Sequence, residues 1–87
     1  MFTLIYEKRF LKDLDKIPNV DVDRIVRVVK GLAYEPMPKN YKKLKTASEV
    51  LRIRQGDYRI IYQIDVSSKQ VRVLCVRHRK DVYKNIP

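Results

Sequence analysis

Among its 87 residues the chain has one cysteine, one histidine, two glycines and no tryptophan. A lone Cys75 cannot close an internal disulfide. With a single His78 and no carboxylate cluster, it leaves no ligand set for a metal ion. Gly31 and Gly56 are too few for a glycine-rich phosphate loop, which argues against nucleotide-triphosphate chemistry. Ser48, Ser67 and Ser68 have no neighbours that resemble an activated nucleophile's. No apolar run approaches the ~18 residues of a membrane span. The N-terminal segment passes into charge after Tyr6, without the long apolar centre and cleavage site of a secretory signal. These absences lead us to expect a small cytoplasmic protein with no cofactor, no metal and no membrane partner.

Acidic residues are the remaining shortage: ten Asp and Glu stand against twenty Lys and Arg, for a net charge of +10. The excess is uneven. Residues 1–35 carry +1 and residues 36–87 carry +9. A solvated surface would spread and mix its charges, whereas a one-sided excess fits a polyanionic partner, either nucleic acid or an acidic protein.

The apolar pattern changes period along the chain. Phe2, Leu4 and Tyr6 alternate as in a strand. Phe10, Leu11, Leu14 and Ile17 then recur at helical spacing, with Lys8, Arg9, Lys12, Asp13 and Lys16 assigned to the outer side. Pro18 and Asn19 end that helix, and a second follows from about Val20 to Ala33 with an apolar stripe of Val22, Ile25, Val26, Val29, Leu32 and Ala33. Three strands complete the order β–α–α–β–β–β: two flank Gln55-Gly56-Asp57, and the third runs from Val71 to His78. The expected fold is α+β in a single domain, residues 1–87, with an antiparallel sheet and a two-helix hairpin on one face. The register of the last strand stays open, because neither of its parities is purely apolar.

The stretch Leu51-Arg-Ile-Arg-Gln-Gly-Asp-Tyr-Arg-Ile-Ile-Tyr-Gln-Ile64 organises the rest. Strand alternation buries Leu51, Ile53, Tyr58, Ile60, Tyr62 and Ile64 and gathers Arg52, Arg54 and Arg59 on the other face. Lys42, Lys43 and Lys45 in the preceding loop fit the rim of a phosphate channel, and Arg72 and Arg77 on the last strand are further candidates for RNA contact. Together with His78, Arg79 and Tyr83, this inventory suits metal-independent RNA cleavage. Guanidinium groups can stabilise charge on phosphoryl oxygens, while His78 or Tyr83 exchanges protons.

The hairpin Arg54-Gln-Gly-Asp-Tyr-Arg-Ile-Ile-Tyr62 and the terminal His78-Arg-Lys-Asp-Val-Tyr83 resemble the RelE family of toxins, within the RelE/ParE superfamily of toxin–antitoxin systems. The resemblance covers nearly the whole chain. It implies a microbial-ribonuclease-like fold and an enzyme that cleaves mRNA in the ribosomal A site without metal. It also implies inhibition by a RelB-like antitoxin, with a monomeric free toxin and an oligomeric complex. On that resemblance Arg52 and Arg54 contact and activate the RNA, and Arg59 stabilises the phosphate. Arg79 serves the leaving group or transition state, and Tyr83 lies near the base and the 2′-hydroxyl. Some relatives carry lysines where this chain has Arg52 and Arg54, which removes a lysine base there and leaves Tyr83 or His78 as base and Arg79 or His78 as acid. The alternatives are a ParE-like inhibitor of DNA gyrase and a non-catalytic nucleic-acid-binding regulator.

Overall fold

The computed structural model describes residues 1–38, 42–43 and 50–80. Its elements are β1 (Thr3–Tyr6), α1 (Lys8–Leu14), α2 (Asn19–Gly31), β2 (Lys42–Lys43), β3 (Val50–Gln55), β4 (Tyr58–Asp65) and β5 (Gln70–His78). The expected two-layer α+β architecture is present, with two differences in the sheet. Lys42–Lys43 adds a two-residue edge strand, and the sheet, in the order β1-β5-β4-β3-β2, is mixed rather than wholly antiparallel. β1 lies parallel to β5, with Thr3 opposite Gln70 and Tyr6 opposite Val73. Short connections oblige β3, β4 and β5 to alternate in direction, but β1 reaches the sheet through two helices and is free of that constraint.

The helix boundaries follow local chemistry. Pro18 is the N-cap of α2, so Asn19 is already helical, one residue before the expected start near Val20, and the Pro18 carbonyl accepts from the Asp21 and Val22 N–H groups. Asp21 in the first turn and Lys30 in the last complement the helix dipole. Phe10, Ile25, Val29 and Leu32 pack on Leu51, Ile53, Ile60, Tyr62, Val71, Val73 and Val76 to form the main core. Leu11, expected in that core, is instead half exposed and borders an apolar cleft of about 200 Å3 with Tyr6, Phe10, Leu14, Val26 and Val29.

The β3–β4 hairpin has the expected register: Leu51 faces Tyr62, Ile53 faces Ile60 and Arg54 faces Arg59. Gly56 takes a φ of +59° as first residue of the two-residue loop, a conformation that suits glycine and matches strand twist. In β5, Cys75 pairs with Ile61 but Val73 pairs with Tyr62, leaving Leu74 as an extra residue. This bulge reverses the parity of the strand. Val71, Val73 and Val76 therefore all reach the helix side, while Cys75 joins Val50 and Ile61 in a second, smaller cluster on the other face, with Leu74 against it. The mixed parities of Val71–His78 have their cause here.

The fully buried Tyr62 donates its hydroxyl to the Pro36 carbonyl at 2.9 Å, fastening the segment after α2 to the sheet. Tyr62→Phe is expected to cost about 1 kcal/mol with no change in the urea m-value, read from equilibrium denaturation. Burial pushes the Cys75 thiol above its ordinary pKa, outweighing the opposing field of Arg77. The unfolded thiol therefore ionises first, so this contribution to stability is complete below the unfolded pKa and is lost as pH rises through the folded one. Alkylation of native Cys75 at pH 8 is expected to run at least ~100-fold slower than in denaturant, as followed by mass spectrometry.

Candidate functional site

Strand pairing places three arginines abreast on the face away from the helices: Arg54 on β3, Arg59 on β4 and Arg77 on β5. One row further in, Arg52 stands beside Ile61 and Cys75. Arg52, Arg54 and Arg59 thus share a rigid face as the alternation predicts, and the register adds Arg77 to it.

Each flanking arginine is anchored. Arg54 Nε donates to the Gly56 carbonyl at 2.8 Å, which draws it toward the turn. Arg77 is nearly buried, and its Nη1 donates to Asp13 Oδ2 at 3.2 Å and to the Val76 carbonyl at 3.1 Å. The same Asp13 oxygen accepts the Val76 N–H at 2.9 Å. That N–H lies beyond the end of β1, where β5 has no strand neighbour on that side among the described residues, so the carboxylate satisfies an edge donor as well as a cation. Arg79 completes the group at the turn: its N–H donates to the Asp57 carbonyl at 2.7 Å and its guanidinium lies 4.0 Å from the Asp57 carboxylate.

The remaining candidates divide. His78 pairs with Tyr58, and their rings meet edge to face at 5.4 Å. Both border a cleft of about 290 Å3 with Asp13, Lys16, Ile17, Val76 and Arg77. Tyr58 packs against the main core, so the sheet separates His78 from the Arg52–Arg54–Arg59 face. The His78 Nδ1 accepts the Lys80 N–H at 3.2 Å, which puts any proton of a neutral ring on Nε2. Arg72 pairs with Gln63, roughly 15 Å along β5 from Arg77. It makes a half-exposed ion pair with Glu7 at 3.6 Å. Lys42 lies in register with Arg52 and Lys43 with Leu51, placing the basic loop's edge strand beside the arginine strand. Tyr83 and Lys45 lie outside the described residues.

The residue that sequence reasoning misplaced is Asp13, assigned to the outer side of α1. Its spacing held the signal: it lies three residues after Phe10 and four before Ile17, on the flank of the apolar stripe. Chemically, the face offers fixed cations at one end of a sheet, with carboxylates, among the described residues, at its two margins, Asp13 and Asp57. Such an array can hold a phosphodiester and stabilise negative charge that grows on its oxygens.

Known proteins share both this sequence pattern and this fold. Residues 4–83 match the family model described as the ParE toxin of the type II toxin–antitoxin system, parDE. The protein named RelE1 in Methanocaldococcus jannaschii is 30% identical over 87 residues, covering 97% of each chain. In the RelBE2 toxin–antitoxin complex of Mycobacterium tuberculosis, a chain 30% identical superposes with a TM-score of 0.79 over 90% of this chain and 98% of that one. A chain of the archaeal RelE–RelB complex from Pyrococcus horikoshii, 28% identical, gives 0.80 over 90% and 94%. Matched over nearly its full length by both sequence and fold, the chain belongs to the RelE family of toxins, within the RelE/ParE superfamily of type II toxin–antitoxin systems.

Proposed function

We propose that this toxin is a metal-independent endoribonuclease that cuts mRNA in the ribosomal A site and so stops translation in the cytoplasm. The observation that carries the reading is the shared face of Arg52, Arg54 and Arg59 on the β3–β4 hairpin, with Arg79 held at the same turn. In this mechanism the RNA 2′-hydroxyl gives up its proton and attacks the adjacent phosphorus, the bond to the 5′ oxygen breaks, and that oxygen takes a proton from water, so the products are a 2′,3′-cyclic phosphate and a 5′-hydroxyl. Arg59, between two anchored neighbours, faces the phosphoryl oxygens as their charge rises. Arg52 and Arg54 orient the strand, and Arg79 stabilises the departing oxygen. Since His78 lies across the sheet from the Arg52–Arg54–Arg59 face, the reading assigns Tyr83, the other candidate base, to take the 2′-hydroxyl proton.

The partner proposed for the toxin is a RelB-like antitoxin. Two solved relatives of this chain are in toxin–antitoxin complexes that contain such a protein. An acidic, amphipathic segment would neutralise part of the +9 half of the chain, and the apolar cleft between α1 and α2 offers it a place for a hydrophobic side chain.

The test is cleavage of mRNA on programmed ribosomes by wild type, Arg59→Ala and Tyr83→Phe. EDTA is titrated against the Mg2+ that the ribosome requires, and free RNA serves as a control. Arg59→Ala is expected to lower the rate by ~100- to 1,000-fold with a smaller change in affinity, as for loss of a transition-state contact. The wild-type ends should be 2′,3′-cyclic phosphates and should persist in EDTA. RNA left intact while DNA breaks accumulate on gyrase would instead support the ParE-like activity. Salt-dependent binding without scission would support a non-catalytic regulator.

A further inference from the structure

β5 ends at His78, and the backbone beyond it needs acceptors for its N–H groups. Arg79 finds one across the sheet, donating to the Asp57 carbonyl at 2.7 Å. Lys80 finds one close by in sequence, donating to His78 Nδ1 at 3.2 Å. A side chain that accepts from the N–H two residues on makes the bond of an Asx turn, ordinarily the work of asparagine or aspartate. Histidine makes it here with an acceptor that a proton can remove, because Nδ1 becomes a donor when the ring is charged. Tyr58 braces the ring, meeting it edge to face at 5.4 Å. The other charged groups that share its cleft are Asp13 and Lys16, reached from α1 and the turn after it, and Arg77 of β5. Asp13, the one carboxylate among them, is paired with Arg77, so a proton on His78 adds charge beside Lys16 and Arg77 without a carboxylate of its own.

We propose that His78 is a positioning residue of the site and makes it sensitive to pH. The hydrogen bonds from Arg79 and Lys80 grip the backbone on both sides of the Arg79 α-carbon. They hold its guanidinium at the hairpin turn, 4.0 Å from the Asp57 carboxylate. When Nδ1 takes a proton the second grip opens, and Arg79 is held by Asp57 alone. The inference rests on the ribonuclease reading above, in which Arg79 stabilises the departing oxygen. It gives the lone histidine a task that needs no contact with RNA, in keeping with its place across the sheet from Arg52, Arg54 and Arg59. Histidine ordinarily changes charge between about pH 5 and 8, so the change falls where cleavage can be measured.

The variants His78→Asn and His78→Ala separate this role from acid–base catalysis. Asparagine keeps an acceptor for the Lys80 N–H and does not titrate; alanine keeps neither ring nor acceptor. Single-turnover cleavage on programmed ribosomes is measured from about pH 6 to 8, and each rate is divided by the wild-type rate at the same pH, which cancels the pH dependence of the chemistry. His78→Ala is expected to run at about one fifth of the wild-type rate near pH 8, the factor of one ordinary hydrogen bond, and at about half near pH 6. His78→Asn is expected to match wild type near pH 8 and to exceed it about threefold near pH 6. In the free toxin, the NMR signal of the Lys80 amide should move with pH in step with the ring signals of His78. His78→Asn as slow as His78→Ala would overturn the proposal, since the ring would then be an acid or a base, and so would ratios that do not change with pH. A Lys80 amide that ignores the ring titration would overturn it independently of any cleavage. A wild type that cleaves no RNA would overturn the ribonuclease reading, while the Lys80 amide would still decide whether His78 holds the turn.

Discussion

One extra residue in β5 decides what each face of the sheet can be. With a continuous alternation, Val71 and Val73 on the helix side would force Arg77 beneath the helices and turn Val76 out. The bulge at Leu74 resolves that conflict within the strand itself. It keeps Val76 in the main core and sends Cys75 and Arg77 to the opposite face. The arginine row exists because of this shift, since Arg77 comes beside Arg59 only after it.

The second constraint is electrostatic. A chain with +9 on one half must place its cations where partners can meet them without driving its own strands apart. The fold does so by giving Arg54 and Arg77, and Arg79 at the turn, separate anchors: a turn carbonyl for Arg54, the Asp13 carboxylate for Arg77 and the Asp57 carboxylate for Arg79. Asp13 joins this balance to the backbone, because the oxygen that meets Arg77 also closes the edge of β5 where β1 ends.

Much of this was legible in the chain. The hairpin pattern around Gly56 predicted which of Leu51, Ile53, Ile60 and Tyr62 face the core, because a two-residue turn and strict alternation leave little freedom in register. The helix stripes identified Ile25, Val29 and Leu32 for the same reason. What periodicity could not show were features set by distant residues. The parallel placement of β1 depends on which strand edge remains open, and the bulge shows in sequence only as an ambiguous pattern in Val71–His78. For the site, composition identified the arginines, but whether His78 shares their face depended on parity beyond the bulge. The burial of Arg77 depended on Asp13, sixty-four positions away.

The seam between β1 and β5 joins residues sixty-seven positions apart, whereas the β3–β4 hairpin closes across two. Loop-closure entropy makes the seam the costlier contact to form. Arg54 and Arg59 can be brought together by the hairpin alone, but Asp13 sits on the helix that directly follows β1, so its contact with β5 closes a loop nearly as long as the seam's. The charge balance of the face is therefore a property of the closed sheet. A chain with the hairpin formed and the seam open would present the attraction for polyanions without the restraint that orders it.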